Sequence, residues 1–333
     1  MKNSQDNFIK GIGNTPLIKL RAASEVTKCN IYGKAEFLNP GGSVKDRAAL
    51  GLIRDAEEKK LITKGGVIVE GTAGNTGIGL CLIGNSIGYK TIIVMNNNQT
   101  QEKKDMLKNI GADLRLVEPK PYKDEGNFVK IAGRLADELR PSNNNGVVWA
   151  NQFDNTANAK AHYETTGAEI WEQTEGTIDG FICSSGTGGT ISGVSNFLKE
   201  KNKNIKIYLA DPKGSSLYNY IKNGELKSES GSITEGIGSS RITKNFENAK
   251  IDGAYSIDDN EALPIIFDLI QNEGLSLGTS CGINIAGAIK LGKELGPGKT
   301  IITILCDKSD KYNTKLFNKS FLQEKGLPYP NWI

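Results

Sequence analysis

Lys45 stands in a stretch of unusual composition, "NPGGSVKDR" at residues 39–47. Ser43 followed by Asp46 is a capping box in its Asp form, which predicts a helix that begins here with the lysine in its first turn. The positive end of a helix disfavours an ammonium group, and the two glycines keep side chains away from the amine. A neutral, accessible amine is what Schiff-base chemistry requires. Taken alone, the stretch also fits a lysine that is simply exposed at a helix start.

The stretch "EGTAGNTGIGL", residues 70–80, joins a predicted strand to a predicted helix. Backbone N–H groups at such a turn form a cradle for an anion. The side chains of Thr72, Asn75 and Thr76 add hydrogen-bond donors, so the stretch favours binding of a carboxylate. By itself it is equally typical of an ordinary glycine-rich turn.

A second glycine-rich stretch, "SSGTGGTISG" at residues 184–193, directly follows the predicted strand "DGFIC". Its segment from Gly186 to Thr190 can wrap a phosphate with backbone amides at a helix N-terminus. It is not the GxGxxG pattern of dinucleotide folds, because Ile191 stands where the third glycine should be, and it is not a nucleoside-triphosphate loop. A single phosphate suits it better, and a tight turn without ligand is the alternative.

Ser280 lies in a third loop before a predicted helix, "GTSCGIN" at residues 278–284. Its hydroxyl could face a site, although a helix-capping serine explains the pattern as well.

His162 is the only histidine in the chain. This count excludes most Ser-His-Asp hydrolases, Cys-His proteases and HExxH metalloenzymes, because each needs imidazole at defined places. Lysine chemistry therefore carries more weight. We expect His162 to be structural, on a helix near a domain junction.

The composition is that of an ordinary globular protein without a polymeric partner. Among 333 residues, 24% are charged and 38% hydrophobic, with a formal net charge of +3. No stretch reaches the roughly 18 to 20 apolar residues of a membrane-spanning helix. The five cysteines form no CxxC or Cys/His cluster; they are Cys29, Cys81, Cys183, Cys281 and Cys306. We expect a cytoplasmic protein with reduced thiols, without bound metal, and with no nucleic-acid or membrane partner.

Short runs of β-branched residues alternate with longer segments of helical periodicity along the chain. Strands are predicted at residues 66–71, 90–95, 146–151, 179–185, 206–211 and 299–307. The segments between them place apolar residues at helical spacing. This alternation predicts an α/β fold with mostly parallel sheets covered by helices. The polar stretch from Lys227 to Lys250 is long enough to be a functional loop.

These stretches, in this order, resemble the cysteine synthase and cystathionine β-synthase family of pyridoxal-phosphate enzymes. The similarity covers nearly the whole chain and includes "IGNTPLIKL", "NPGGSVKDRAA", "GNTGIGL", "GTGGTISGV", "TEGIG", "SCGIN" and "TILCD". The segments "ANQFDN", "HYETTGAEIW" and "KLFN" are similar to the cysteine synthase branch, also called O-acetylserine sulfhydrylase. The resemblance implies the two-domain tryptophan-synthase-β fold (fold type II).

The resemblance also implies a role for each matching residue. Lys45 would hold pyridoxal 5′-phosphate as a Schiff base, Asn75 would bind the 3′ oxygen of its ring, and Ser280 would face the pyridine nitrogen. The cofactor's phosphate would be bound by Gly186, Thr187, Gly188, Gly189 and Thr190. The substrate would be bound by Thr72, Ala73, Gly74, Asn75, Thr76 and Gln152, with Gly236 in a loop that closes over it.

The implied reaction is β-replacement through an aminoacrylate intermediate. Lys45 would remove the Cα proton of O-acetyl-L-serine, acetate would leave, and sulfide would add to give L-cysteine. The implied larger domain comprises residues 1–44 and 156–333, and the implied smaller, mobile domain residues 45–155. A homodimer is expected, with serine acetyltransferase as a candidate partner. The apolar tail "KGLPYPNWI" is interpreted as packing on a neighbouring subunit.

Other functions stay open at this point. A related enzyme could use another nucleophile or substrate, as cystathionine β-synthase does, or release pyruvate as a cysteine desulfhydrase or serine dehydratase. A non-catalytic homologue that binds a partner is disfavoured because Lys45 is present. The chain departs from the family's usual pattern in four places, which leaves the leaving group and nucleophile undecided. They are Ala73, the run Met95-Asn96-Asn97, the pair Ser239-Ser240 and the run Lys308-Ser309-Asp310.

Overall fold

The computed structural model describes residues 7–72 and 74–333, which form two sheets and the helices around them. The strands are β1 (Leu17–Lys19), β2 (Asn30–Lys34), β3 (Val67–Gly71), β4 (Lys90–Asn96), β5 (Asp113–Val117), β6 (Val147–Trp149), β7 (Gly180–Cys183), β8 (Lys206–Pro212), β9 (Gly253–Ile257) and β10 (Thr300–Ile304). The helices are α1 (Arg21–Thr27), α2 (Lys45–Glu58), α3 (Asn75–Ile87), α4 (Gln101–Asn109), α5 (Phe128–Leu139), α6 (Ala157–His162), α7 (Ala168–Gln173), α8 (Gly189–Lys201), α9 (Leu217–Asn223), α10 (Lys244–Glu247), α11 (Asp259–Asp268), α12 (Thr279–Leu295), α13 (Asn313–Leu316) and α14 (Lys319–Glu324).

The larger sheet has six strands in the order β1-β2-β10-β7-β8-β9. Only the edge strand β1 runs antiparallel to its neighbour. Side chains of successive residues point to opposite faces, as strand geometry requires. Phe181 and Cys183 pack with residues of α7 and α8, whereas Ile182 between them packs with α11 and α12. The sheet is therefore buried on both faces.

The smaller sheet has four strands, all parallel, in the order β5-β4-β3-β6. Ile68 of β3 packs with residues of α2 and α3, whereas Val67 and Val69 pack with α5. This sheet too lies between helices, so the predicted α/β class with two mostly parallel, helix-covered sheets is confirmed. The four strands lie between residues 67 and 149, and the domain limits of 45 and 155 stay a prediction.

All six predicted strands are present, and four further strands lack a clear signal in the sequence. The strand β1 has only three residues, and β5, "DLRLV", is mostly exposed at a sheet edge. A strand that is exposed or very short shows no continuous apolar run, which is the signal that marks buried parallel strands.

The carboxyl ends of three strands supply the loops of the candidate site. The loop after β3 leads to Thr72, the loop after β7 leads to Gly186, and β10 is followed by Cys306. Ligands of open α/β sheets bind at this edge, where the loops of parallel strands converge. Among the described residues, no helix combines the length and apolar character needed to cross a membrane.

Candidate functional site

A cavity of about 210 Å³ opens between loops of the two sheets. Its lining includes ten of the predicted site residues: Lys45, Thr72, Gly74, Asn75, Thr76, Gln152, Gly186, Thr187, Gly236 and Ser280. A smaller hollow shares Lys45, Gly186 and Thr187 with this cavity and continues to Gly188 and Thr190. Gly189 begins α8 beside that hollow. Ala73 lies outside the described residues.

Lys45 begins α2, as predicted, but the capping interactions differ from the prediction. Val44 is the N-cap residue, and the Ser43 Oγ accepts a hydrogen bond from the N–H of Lys45 at 3.2 Å. Asp46 does not complete a capping box; it accepts a hydrogen bond from the N–H of Gly41 at 2.6 Å. An added Cβ at Gly41 would lie 2.5 Å from Asp46 Oδ1. The capping box was therefore wrong, and Gly41 is required by the close approach of Asp46.

The loop before α8 has the properties of a phosphate site. Gly188, at φ +88°, is the N-cap residue of α8 and has no side chain to cap the helix, although the N–H of Gly189 donates to Thr187 Oγ1 at 3.3 Å. The first N–H groups of a helix have no acceptor within it, so they are available to an anion. The buried Ser185 Oγ makes no hydrogen bond to the described residues. An added Cβ at Gly189 would lie 2.0 Å from Asn158 Oδ1, which explains the glycine there.

This arrangement fits a cofactor that carries one phosphate and an aldehyde. The unpartnered Ser185 hydroxyl and the N-terminus of α8 suit the phosphate, while Lys45 supplies the amine. The hollow of the phosphate loop and the main cavity share Lys45. A molecule whose phosphate lies in the smaller hollow could therefore reach the Lys45 amine and extend into the main cavity.

His162 contacts the phosphate loop, a role that the sequence did not reveal. It is the last residue of α6 and is buried. Its Nε2 lies 3.2 Å from the hydroxyl of Thr190, and its Nδ1 lies 2.8 Å from the hydroxyl of Thr166. Burial holds the pKa of His162 well below its ordinary value, so the imidazole is neutral.

Four of the predicted carboxylate-binding residues form two hydrogen-bonded pairs, Thr76 with Gln152 and Gly74 with Thr72. The hydroxyl of Thr76 donates to Gln152 Oε1 at 2.5 Å, and Gln152 Nε2 donates to the carbonyl of Gly71 at 3.3 Å. The N–H of Gly74 donates to Thr72 Oγ1 at 3.2 Å. Because Gly74 has φ +146°, a conformation that side-chain-bearing residues rarely adopt, the loop depends on this glycine. The group faces the same cavity as Lys45.

Two charged residues, Lys103 and Glu235, also line the cavity, and sequence reasoning missed both. Lys103 on α4 is 2% exposed and forms an ion pair with Glu235, the residue before Gly236. Its Nζ lies 4.5 Å above the centre of the Tyr312 ring. Glu235 forms a second ion pair with Lys315 of α13. Ion pairs between residues so far apart in the chain leave no pattern in the sequence.

The loop that carries Gly236 contacts the phosphate loop directly. The N–H of Gly238 donates to the carbonyl of Ser185 at 2.7 Å. An added Cβ at Gly186 would lie 2.5 Å from the carbonyl oxygen of Gly236. The predicted closing loop and the predicted phosphate loop are therefore packed backbone against backbone.

Ser280 and Cys306 complete the lining near Lys45. Ser280 lies in the first turn of α12, whose N-cap residue is Gly278, so it is not a capping serine. Cys306 is partly exposed, whereas the other four cysteines are buried, and all five are free thiols. Cys306 was expected only as a reduced thiol, and its place in the cavity wall was not foreseen.

A buried ionic network fixes the orientation of α2. Arg47 donates to both oxygens of Glu36, at 2.7 and 2.8 Å, and to both oxygens of Glu169, at 2.6 and 2.7 Å. Although burial raises the pKa of Glu169, Arg47 and Lys34 outweigh it and lower that pKa to about 2. Since Lys45 is two residues before Arg47, this network also holds the start of the helix in place.

Comparison with known proteins gives consistent matches over nearly the whole chain. The family described as "Pyridoxal-phosphate dependent enzyme" matches residues 9–307. Cysteine synthase 1 of Emericella nidulans is 49% identical over 97% of this chain and 87% of that protein. Cysteine synthase 1 of Neurospora crassa is 47% identical over 95% of this chain and 84% of that protein. Among solved structures, O-ureido-L-serine synthase has a TM-score of 0.85 at 30% identity, covering 95% of this chain and 96% of that one.

Proposed function

The chain belongs to the family of pyridoxal-phosphate dependent enzymes, and we propose that it is a cysteine synthase, which forms L-cysteine from O-acetyl-L-serine and sulfide. The observation that carries the proposal is the single cavity that joins three features. Lys45, Thr72, Gly74, Asn75 and Thr76 line the main cavity, and the start of α8 lines the smaller hollow that shares Lys45 with it. Relatives named cysteine synthase at 47–49% identity favour this reaction over others of the family.

In this proposal, the cofactor's phosphate is held by the backbone of Gly186, Thr187, Gly188 and Gly189 and by the hydroxyl of Thr190. Lys45 holds the cofactor, Asn75 binds its ring oxygen, and Ser280 lies beside its ring nitrogen. Pyridoxal phosphate supplies an electron-withdrawing ring that makes the Cα proton of a bound amino acid acidic. The Ser280 hydroxyl is neutral and is suited to a reaction that needs no charged ring nitrogen.

The substrate's carboxylate is bound by Thr72, Thr76 and the backbone of Gly74, with Gln152 holding Thr76 in position. The side chain of Ala73 adds no donor to this loop. Binding the carboxylate fixes Cα beside Lys45, so that the freed amine takes the Cα proton. Acetate then leaves from Cβ, hydrosulfide adds to the same carbon, and Lys45 returns the proton to Cα. The loop around Gly236 excludes water while this happens.

The test is an absorption spectrum of the purified protein, recorded alone, with O-acetyl-L-serine, and after sulfide is added. We expect a visible cofactor band that changes with O-acetyl-L-serine and returns with sulfide while L-cysteine accumulates. Lys45→Ala removes the amine and should lower turnover by at least about 1,000-fold, since a catalytic base alone contributes 10²–10⁴. Lys59→Ala, which changes an exposed lysine just after the same helix, is the control.

Three results would contradict the proposal. Near wild-type turnover of Lys45→Ala would remove the lysine from the chemistry. A cofactor band that ignores O-acetyl-L-serine would point to another substrate. Pyruvate as the product in the presence of sulfide would indicate a desulfhydrase or dehydratase instead.

We further propose a homodimer located in the cytoplasm, with serine acetyltransferase as a candidate partner. The five free cysteines suit a reducing compartment. Sizing chromatography of the protein, with and without the acetyltransferase, tests the two assembly proposals.

A further inference from the structure

Asn75, the first residue of α3, is held by two charged side chains of the segment after β10. Its Nδ2 donates to Asp307 Oδ2 at 2.7 Å, and its Oδ1 accepts a hydrogen bond from Lys311 Nζ at 3.0 Å. Asp307 is 1% and Lys311 6% exposed. Asn75 lines the cavity, and neither charged residue does. The two residues therefore contact Asn75 from behind, away from the space where a ligand binds.

These partners determine which way the Asn75 amide faces. An ammonium group has only hydrogen-bond donors, so Lys311 must face the amide oxygen of Asn75. An ionised carboxylate has only acceptors, so Asp307 must face the amide nitrogen. Rotating the amide by 180° would place ammonium against NH₂ and carboxylate against a carbonyl oxygen. Because the Asn nitrogen has two N–H groups and Asp307 takes one, a single N–H remains for a ligand.

The same two residues are tied to the loop that leads to Lys45. Lys311 Nζ also donates to the carbonyl of Gly42 at 3.2 Å. The backbone of Asp307 pairs with that of Ser43 in an antiparallel bridge. The loop before α2 and the start of α3 are thus fixed to one segment. Any shift of that segment would move Lys45 and Asn75 together.

Asp307 is itself held rigidly. Its Oδ2 accepts a second hydrogen bond from the hydroxyl of Tyr312 at 2.7 Å. Its Oδ1 packs so closely on Gly278 that an added Cβ there would lie 2.2 Å away. A carboxylate with this little freedom defines the direction of the hydrogen bond that it accepts from Asn75.

We propose that Asp307 and Lys311 are positioning residues that hold Asn75 so that it offers an N–H, not its carbonyl, to the oxygen of the cofactor's ring. This inference rests on the proposed function, because it requires pyridoxal phosphate in the cavity. An N–H donor stabilises a negatively charged ring oxygen. Loss of the orientation should therefore change the visible absorption of the bound cofactor as well as its affinity.

The experiment is a double-mutant cycle with Lys311→Met and Asn75→Ala, made singly and together. Each protein is stripped of cofactor and titrated with pyridoxal phosphate, and the dissociation constant and the position of the visible band are measured. We expect each single variant to bind the cofactor about tenfold more weakly, the cost of one hydrogen bond, and to shift the band. If Lys311 acts through Asn75, the double variant should match Asn75→Ala alone.

Lys308→Met is the matched control, because Lys308 is an exposed lysine three residues away on the same segment. It should leave both the dissociation constant and the band unchanged. If Lys311→Met fails to fold, Lys311→Leu serves in its place, since its apolar side chain cannot donate a hydrogen bond to Asn75.

Two outcomes would overturn the inference. One is a Lys311 variant with the wild-type band and affinity. The other is an effect that adds in full to that of Asn75→Ala, which would mean that Lys311 acts elsewhere. Neither affects the proposed function, which fails separately if the wild-type protein shows no cofactor band at all.

Discussion

Arg47 shows how a single side chain can support the site without touching it. Its guanidinium donates two hydrogen bonds to each of the carboxylates of Glu36 and Glu169, at 2.6 to 2.8 Å, and the residue is almost completely buried. A lysine ammonium group cannot make two bidentate contacts with carboxylates, so lysine is not equivalent to arginine at this position. The role of Arg47 is therefore to connect the helix that begins at Lys45 with the larger sheet.

Arg47→Met should lower the free energy of unfolding by about 3–5 kcal/mol, because it leaves the buried carboxylate of Glu36 without its ion-pair partner and Glu169 with Lys34 alone. Arg47→Lys should recover only part of this loss. Chemical denaturation measures both, with Arg54→Met, an exposed arginine on the same helix, as the control. A loss below about 1 kcal/mol for Arg47→Met would show that the network is not needed for folding.

The free energy of unfolding, measured as the pH is lowered, gives a second test of Arg47→Met. The folded-state pKa of Glu169 is lowered from 4.5 to about 2, so its stabilising contribution is complete above pH 4.5 and is lost as the pH falls toward 2. Without the guanidinium, Lys34 alone opposes the effect of burial, so the pKa of Glu169 rises toward or above its ordinary value. The part of the acid-induced loss of stability that Glu169 causes in the wild type should therefore be smaller or absent in Arg47→Met.

At the scale of elements, the segment between α9 and α10 is held in place mainly by charged side chains. Glu235 pairs with Lys103 and Lys315, and Arg241 forms two hydrogen bonds to Asp154 at 2.8 and 3.0 Å. Lys103 also packs its side chain against Gly74, where an added Cβ would lie 2.8 Å from it. Lys103 therefore connects the loop before α3 with the segment that carries Gly236.

Glu235→Gln should raise the KM for O-acetyl-L-serine by about tenfold, because the buried ammonium of Lys103 loses its counter-charge beside the carboxylate loop. The kcat and the cofactor's band should change little, since neither depends on this pair. Steady-state kinetics with each substrate varied in turn measures the effect. Glu229→Gln, an exposed residue in the same segment, is the control. An unchanged KM would mean that the closing loop holds its position without the ion pair.

Local elements of the site could be predicted from the sequence, whereas contacts between distant elements could not. The turns before α3 and α8 carry their glycines and threonines within a few residues, so their anion-binding character is visible in the sequence. Asn75 and Lys311 are separated by 236 positions, and Lys103 and Glu235 by 132. Neither composition nor periodicity records which charged side chains meet across such separations. The capping box failed for a related reason, since the burial of Asp46 against Gly41 outweighs a local capping pattern.

At the scale of the whole molecule, the C-terminal tail packs only in part on its own chain. Leu327 and Ile333 pack against the core of the larger sheet. Trp332 meets Phe267 edge to face, with ring centres 6.2 Å apart, yet remains 48% exposed. Tyr329 is 39% exposed. The tail is thus anchored to its own chain while presenting two large aromatic rings outward, as expected of a segment that also covers a neighbouring subunit.

A chain that ends at Lys325 should elute from a sizing column as a smaller species than the full protein, because it loses both exposed rings. The truncated chain also loses Leu327 and Ile333, so its stability should fall. The column must therefore be run well below the melting temperature of the truncated chain. The double variant Tyr329→Ala and Trp332→Ala separates the two effects, since it keeps the residues that pack on the chain's own core. If this variant and the truncated chain both keep the size of the full protein, the tail serves only its own subunit. If both elute as monomers, the exposed rings themselves hold the dimer together.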